Sequence, residues 1–382
     1  MALYNKYRPT KFADLCGQEY VKKILSHQVK ENKLSNAYLF TGPAGTGKTT
    51  VARIFSAMIN CSTGMTLEPD IKDPNVQVIM AGKSDIDVIE FDAASTRGID
   101  EIKNVREKSY FSPISMRKKI WIIDECHQLT SAAWEALLKL LEEPPTHSMF
   151  ILCTTEPNRI SETILTRCMA LKFTPITMQD IYQYLKKTIA QEQLEIEEEA
   201  VRLLSKSAKG SMRQALSNLE KVMNLGSKID AQMVTNCIGV MSVKLAKDFV
   251  VSIFQNKFVD GLAASSQAIS SGVSASDFLE EVATYLHHVV MSKYKVLPSF
   301  GLTEEDIKEI DGSFEFCRQE MSKYVGAEGV QKVALVIFLS MISHVNRVRE
   351  MRIYNIQPQY LVDVAWVQLL KAYRRELVPS TK

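Results

Sequence analysis

Through the first 175 residues, short apolar runs alternate with stretches of helical spacing; the runs are Ala37 to Phe40, Val88 to Phe91, Ile120 to Ile123, Met149 to Cys153 and Ala170 to Phe173. Runs this short, separated by helices, predict parallel strands buried on both faces and hence an α/β domain. The segment TSAAWEALLKLLEEPP predicts one of the intervening helices, capped by Thr130 or Ser131 and stopped by Pro144.

From about residue 178 the pattern changes. The segments MQDIYQYLKKTIAQEQLEI, EEAVRLLSKSAKG, SMRQALSNLEKVMNLG and DAQMVTNCIGV carry apolar residues three and four apart, with breaks at Gly210 and Gly226. From about Val243 only long helical patterns remain, such as GVQKVALVIFLSMISHVNRVREMR. Their apolar stripes exceed what one helix pair can cover, which implies packing within the block or against other subunits. The division expected is an α/β domain over 1–177, a small helical domain over 178–242 and an all-helical domain over 243–382, in keeping with a chain of 382 residues.

Composition narrows the possibilities. Hydrophobic residues are 46% and charged residues 24% of the chain, which is globular composition, and a net charge of +2 means that any nucleic-acid binding needs a local basic patch. No apolar run approaches a membrane span and MALYNKYRPTKF lacks a signal-peptide core, so the chain reads as cytoplasmic. Seven cysteines, at 16, 61, 126, 153, 168, 237 and 317, form no C-x-x-C pair and read as reduced, mostly buried apolar residues.

Candidate chemistry begins at Gly42-Pro43-Ala44-Gly45-Thr46-Gly47-Lys48-Thr49, which matches G-x-x-x-x-G-K-[ST] between a predicted strand and a predicted helix, with Thr50 following as a further binding candidate. In such a loop backbone N–H groups wrap phosphates, Lys48 reaches the outer phosphates and Thr49 holds Mg²⁺. IWIIDECHQL places Asp124, for Mg²⁺, and Glu125, for polarising a water, at the end of an apolar strand. His127 reads as a structural or hydrogen-bonding histidine rather than a catalyst. Thr154 and Thr155 end another strand, where a hydroxyl can orient the nucleophile or simply suit a strand end. Ser211 and Gln214 read as a capping box, which sets Arg213 in a first helical turn; a cation there opposes the helix dipole and suggests an anionic partner, with ordinary surface placement as the alternative. Arg167 lies between a short helical turn and a strand, where pairing with the last helical carbonyls is the plain reading.

With these residues in place the chain resembles AAA+ ATPases, and among them the clamp-loader ATPase subunits of the bacterial DNA polymerase III gamma/tau type. The likeness runs in order through YNKYRPTKFADLCGQE, TGPAGTGKTT, DVIEFDAASTRGIDEIK, IIDECHQLT, LLKLLEEPP, CTTEPN, ILTRC and GSMRQALS. It implies an AAA+ P-loop domain with a parallel five-stranded sheet, a helical lid and a helical collar. Lys48 and Thr49 correspond to Walker A, Asp124 and Glu125 to Walker B, Thr155 to sensor 1 and Arg213 to sensor 2. Arg167 corresponds to an arginine finger inserted into a neighbour's ATP site, with Tyr7, Arg8, Cys16 and Gly17 bordering the adenine. The implied partners are a sliding clamp, primer-template DNA and other clamp-loader subunits in a pentamer, with no membrane partner. Arg97, Lys103 and Arg106 are the candidates for contact with DNA backbone, and Arg117 to Lys119 are possible helpers. The family's four-cysteine zinc module has no counterpart, because Cys61 stands alone after the P-loop helix; ATP and Mg²⁺ are expected and zinc is not. A divergent or virus-encoded member would fit that departure. The rivals are another AAA+ DNA motor, such as a branch-migration or recombination-associated ATPase, and an inactive structural subunit, which intact Lys48, Glu125 and Arg167 argue against.

Overall fold

A computed structural model describes residues 2–82, 85–95, 99–226, 228–239, 243–293, 304–350 and 358–377. These residues form two compact units, one of 1–192 with 208–220 and one of 193–207 with 221–382.

The first unit is built on five parallel strands, β1 (Ala37–Thr41), β2 (Val88–Asp92), β3 (Lys119–Asp124), β4 (Ser148–Thr154) and β5 (Met169–Lys172), in the order β2-β3-β4-β1-β5. Each run predicted as a strand is one. The two-residue period of a strand sorts its side chains onto two faces. Tyr38, Phe40, Ile120, Ile122, Ile151 and Cys153 pack with Ile54, Phe55 and Met58 of the helix Lys48–Asn60. On the other face Ala37, Leu39, Trp121, Ile123, Phe150 and Leu152 pack with Ile102 and Val105 of Ile99–Ser109 and with Leu137 and Leu140 of Ser131–Glu142. Full burial of such a side chain is worth about 1.5–3 kcal/mol, so helices on both faces are what make a continuous apolar strand affordable in water.

The caps follow the sequence. Thr130 Oγ1 accepts the N–H of Ala133, and the helix ends at Glu142, ahead of Pro144. Gly210 and Gly226 break the helical pattern with φ of 83° and 155°. The capping box at 211–214 is half formed: Ser211 Oγ accepts the Gln214 N–H at 3.3 Å, but the Gln214 amide turns to Asn218 Oδ1 at 2.8 Å because that residue stands one turn on.

The second unit is mainly helical. Val243–Phe254, Phe258–Ser270, Ala275–Lys293, Glu304–Glu350 and Pro358–Leu377 surround a core containing Phe249, Phe254, Phe278, Phe338 and Trp366. Phe249 and Phe278 meet edge to face at 5.1 Å, and Trp366 Nε1 donates to Ser252 Oγ at 2.9 Å. Glycines 312, 326 and 329 do not interrupt the 47-residue helix Glu304–Glu350. A two-residue parallel pairing, Glu195–Ile196 with Lys228–Ile229, stands where the sequence pattern suggests helix and loop only. No helix among the described residues is long and apolar enough to cross a membrane.

Candidate functional site

β1 leads into the glycine loop, with β4 beside it and β3 beyond. The carboxyl ends of parallel strands are where open α/β sheets take ligands. Here they deliver the glycine loop, the Asp124–Glu125 pair and Thr154–Thr155 to one edge of the sheet.

The loop is tied down on several sides. Gly42 N–H donates to the Thr154 carbonyl at 3.2 Å, Thr46 Oγ1 to the Pro43 carbonyl at 2.8 Å, and Met212 N–H to the Gly45 carbonyl at 3.0 Å. Gly42 and Gly45 have φ of 146° and 73°; a Cβ on the first would run into the Phe173 carbonyl and on the second into Ser211 Oγ. Both positions therefore need glycine. Gln18, itself left-handed at φ 57°, donates to the carbonyls of Thr174 at 2.7 Å and Thr46 at 3.4 Å and accepts the Thr174 N–H. It wedges the loop against the end of β5.

Lys48 is buried, and its ammonium donates to the Gly42 and Pro43 carbonyls at 2.8 and 2.9 Å. Burial holds its pKa below the ordinary lysine value; Arg213 adds to the depression while Cys153, Glu125 and Asp124 oppose it. An entering phosphate would favour the charged form. Thr49 Oγ1 donates to Asp124 Oδ2 at 2.7 Å. A hydroxyl and a carboxylate are hard oxygen donors of the kind Mg²⁺ takes, so the pair fits that ion. Glu125 follows β3 in a left-handed conformation, φ 46°, which costs a non-glycine residue about 1–3 kcal/mol and sets its side chain beside β4. There Thr155 Oγ1 donates to Glu125 Oε2 at 2.9 Å.

Lys48, Thr49, Asp124 and Glu125 face a cleft of about 870 Å³, counting the part open to solvent; Thr155 does not line it and meets it only through its bond to Glu125. Ala44, Gly45, Thr46, Gly47, Lys48, Thr49, Thr50, Asp124, Glu125 and Arg213 line its polar side. Tyr4, Tyr7, Arg8, Pro9, Leu15, Cys16, Ile176, Tyr184, Met212 and Leu216 line the rest. Arg213 sits over the Tyr4 ring at 5.8 Å. Burial first, then the nearby Arg53 and Arg213, lower the Arg8 pKa, while Glu90 offsets part of this. Arg53 is itself held by Glu90 through two bonds of 2.7 Å. Cys16 is pushed up to about 11 by burial, with Asp180 adding to it, and stands as a thiol.

Not every candidate reaches the cleft. Gly42 and Pro43 do not line it and act through their carbonyls, which hold Lys48, while Gly17 lines an adjoining groove. Arg167 lies elsewhere: its guanidinium donates to the Thr163 carbonyl at 2.8 Å and to Glu142 Oε1 at 2.7 Å, the local carbonyl pairing read from the sequence with a carboxylate added. Arg97 falls outside the described residues. Lys103 is exposed and Arg106 half-buried on the helix Ile99–Ser109. Arg117 is exposed, but Lys119 belongs to β3 and is 4% exposed, with Nζ 3.5 Å from the Phe111 carbonyl; strand alternation turns it inward and rules it out as a helper at DNA. Tyr4 and Tyr184 carry no signal in the sequence; Gln18 belongs to the DLCGQ loop expected beside the adenine, but its bonds to Thr46 and Thr174 are not expected from it.

Around the isolated Cys61, the Asp73 carboxylate collects the thiol, the Ser62 N–H and hydroxyl, and the N–H groups of Asn75 and Val76. Among the described residues no cluster of three or more His, Cys, Asp or Glu is arranged to hold a metal.

A family model described as DNA polymerase III, delta subunit, matches residues 17–177, and one described as DNA polymerase III clamp loader subunit, ATPase lid domain, matches 180–228. The DNA polymerase III subunit tau of Bacillus subtilis is 35% identical over 96% of this chain and 63% of its own length, so the chain spans a little under two thirds of that relative. The DNA polymerase III subunit gamma of Buchnera aphidicola subsp. Schizaphis graminum is 35% identical over 76% of this chain and 80% of its own. Among solved structures, the Thermotoga maritima RuvB Holliday junction branch migration motor shares 19% identity at a TM-score of 0.47, over 65% of this chain and 79% of that one, a likeness too distant to carry an argument. At 35% identity over four fifths of the gamma subunit's length, with the lid model matching as well, the chain belongs to the gamma/tau family of DNA polymerase III clamp-loader ATPase subunits.

Proposed function

We propose that the chain binds ATP in the cleft at the carboxyl ends of β1, β3 and β4 and hydrolyses it as a subunit of a sliding-clamp loader. ATP binding drives clamp opening and capture of primer-template DNA, and hydrolysis releases the clamp on DNA. The observation that carries this reading is the convergence of Lys48, the Thr49–Asp124 pair, Glu125 and Arg213 on one cleft, with Thr155 bonded to Glu125, in a chain of this family.

The roles follow from charge and reach. The loop N–H groups and Lys48 receive the phosphates, and Lys48 exchanges two carbonyl acceptors for phosphate oxygens. Thr49 and Asp124 hold Mg²⁺, which neutralises phosphate charge when bound. Glu125 takes a hydrogen bond from the attacking water and Thr155 keeps its carboxylate in place. Arg213 meets phosphate from the first turn of the helix Met212–Met223, where Met212 N–H already anchors that turn to Gly45. The apolar and aromatic end of the cleft, with Tyr7 and Arg8, takes the base.

The chain works as three parts: an ATPase domain, 1–177, a lid, 178–242, and a collar, 243–382. Exposed Val336 and Leu339, with exposed Tyr360, Val364 and Val367 on the next helix, supply the collar with apolar surface for other subunits of a pentamer. Exposed Tyr110, Phe111 and Ile114 give the ATPase domain a patch suited to a protein partner such as the clamp. Arg97, Lys103 and Arg106 contact DNA phosphates without reading bases. Moving an assembly from mostly closed to mostly open takes about 5.5 kcal/mol of differential binding, which several cooperating sites can supply. The site of action is the cytoplasm, at the replication fork. The test is ATP turnover by the assembled complex with clamp and primed DNA added singly and together; stimulation should require both. Turnover indifferent to the clamp would instead fit another DNA motor.

A further inference from the structure

We propose that His127 is a positioning residue for Glu125, holding the ends of β3 and β4 that carry Glu125 and its partner Thr155; this rests on the reading of Glu125 as the group that polarises water. Glu125 sits on a turn with its side chain one-third exposed, where a carboxylate left to solvent would sample several rotamers. Two groups meet it on the same oxygen. Thr155 Oγ1 donates to Oε2 at 2.9 Å, and His127 Nδ1, hydrogen-bonded to Thr154 Oγ1 at 3.0 Å, stands 3.4 Å from the same oxygen as a polar neighbour. The two contacts on Oε2 leave Oε1 available to a water.

The ring is fit for such a role because it is itself immobilised. Its side chain is 3% exposed, Nδ1 lies 3.0 Å from Thr154 Oγ1, and Nε2 lies 3.1 Å from Gln128 Nε2 and 3.2 Å from Glu156 Oε1. Thr154 is pinned in turn by the Glu156 N–H at 3.0 Å, and Arg159 holds the other Glu156 oxygen at 2.8 Å. His127 thus bridges the residue after β3 and the last residue of β4, the two strand ends whose separation sets the distance from Glu125 to Thr155. A histidine placed only to fill space would not need its Nδ1 turned toward Thr154 Oγ1 and Glu125 Oε2, one atom from each strand end.

The two ring nitrogens allow a discriminating experiment, because an asparagine amide stands near the Nδ1 position and a glutamine amide near Nε2. In the full chain, His127→Gln should lower ATP turnover about tenfold, part of the 10² to 10⁴ that a positioned general base supplies, with ATP affinity changed less than twofold. His127→Asn should keep at least half of the wild-type rate. Within a Glu125→Gln background, His127→Gln should cause no further loss, since the group it orients is already gone. Gln128→Ala, which releases only the far side of the ring, should lose two- to threefold and keeps the idea testable if His127→Gln does not fold. Wild-type turnover in both His127→Gln and Gln128→Ala, equal losses in the asparagine and glutamine variants, or a matching fall in ATP affinity would overturn the assignment. Wild-type turnover by Glu125→Gln alone would overturn the underlying reading instead, so the two failures are told apart.

Discussion

The arginine-finger role that the family resemblance implies for Arg167, which we propose it keeps, can be decided by magnitude. Its guanidinium is held by Glu142 and by the Thr163 carbonyl, and both charged side chains are partly exposed, at 30% and 49%. An ion pair this exposed is worth about 0.2–1 kcal/mol, so Arg167→Ala should lower stability by no more than about that. An arginine finger supplied to a neighbour is worth about 10³ to 10⁵ in turnover, or about 4–7 kcal/mol of barrier. Releasing the local pair is therefore small beside what the finger gains, and the resting contact with Glu142 does not disqualify it. The assay is ATP hydrolysis by the assembled protein, with ATP binding measured on isolated subunits. Arg167→Ala should cut hydrolysis by at least 10³ and leave binding intact, while Glu142→Gln, which frees the guanidinium, should not slow it. Mixing Arg167→Ala chains with Lys48→Ala chains should recover part of the activity, because some interfaces then join a working site to a working finger. No recovery in a confirmed mixed assembly would refute action in trans, and a loss below tenfold would refute the finger altogether.

Lys48→Ala removes the buried cation of the loop and should abolish ATP binding while leaving the thermal unfolding of the apo chain within a few degrees of wild type; a fluorescent ATP analogue reports the first and calorimetry the second. Asp73 gives a pH signature. Burial pushes its carboxyl up, but hydrogen bonds from Ser62, Val76 and Cys61 outweigh this and hold it at about 2, against about 3.9 in an unfolded chain. Its contribution to stability is thus present above about pH 4 and lost as pH falls toward 2, and Asp73→Asn should flatten the stability profile in that window, read by denaturant unfolding. Val364→Glu with Val367→Glu places two charges on the exposed face of the last collar helix and should reduce the assembly seen by light scattering while ATP binding persists. Arg106→Ala should weaken binding to primer-template DNA alike for all sequences and lower the salt slope by about one ion, seen in anisotropy titrations at several salt concentrations.

Much of this was legible in the sequence, for physical reasons that differ from residue to residue. The three central strands stand out because parallel strands buried on both faces read as short apolar runs, as Tyr38 to Phe40 do, while the edge strands β2 and β5 are only partly buried. The loop from Gly42 to Thr49 stands out because its backbone tolerates so few side chains. The grip of Thr155 on Glu125 was not legible, since it joins residues 30 apart through the register of β3 and β4. Nor was the link from Gln18 to Thr174, set by a left-handed residue that no apolar period marks. Lys119 misled because a run of basic residues reads as a surface while strand alternation buries one of them. The glycines inside Glu304–Glu350 resemble breaks, yet a helix supported by a large core can outweigh the roughly 1 kcal/mol that each costs.

If ATP bound in this cleft is spent on a clamp, as proposed, turnover must answer to the clamp. The most direct measurement is the rate at which the assembled complex turns over ATP with primed DNA, with and without the sliding clamp, for wild type and Glu125→Gln. The account predicts that wild-type turnover rises when clamp and primed DNA are present together, and that Glu125→Gln retains the clamp in an ATP-dependent complex that turns over slowly. Turnover that ignores the clamp, or a Glu125→Gln variant that binds ATP but never the clamp, would contradict it.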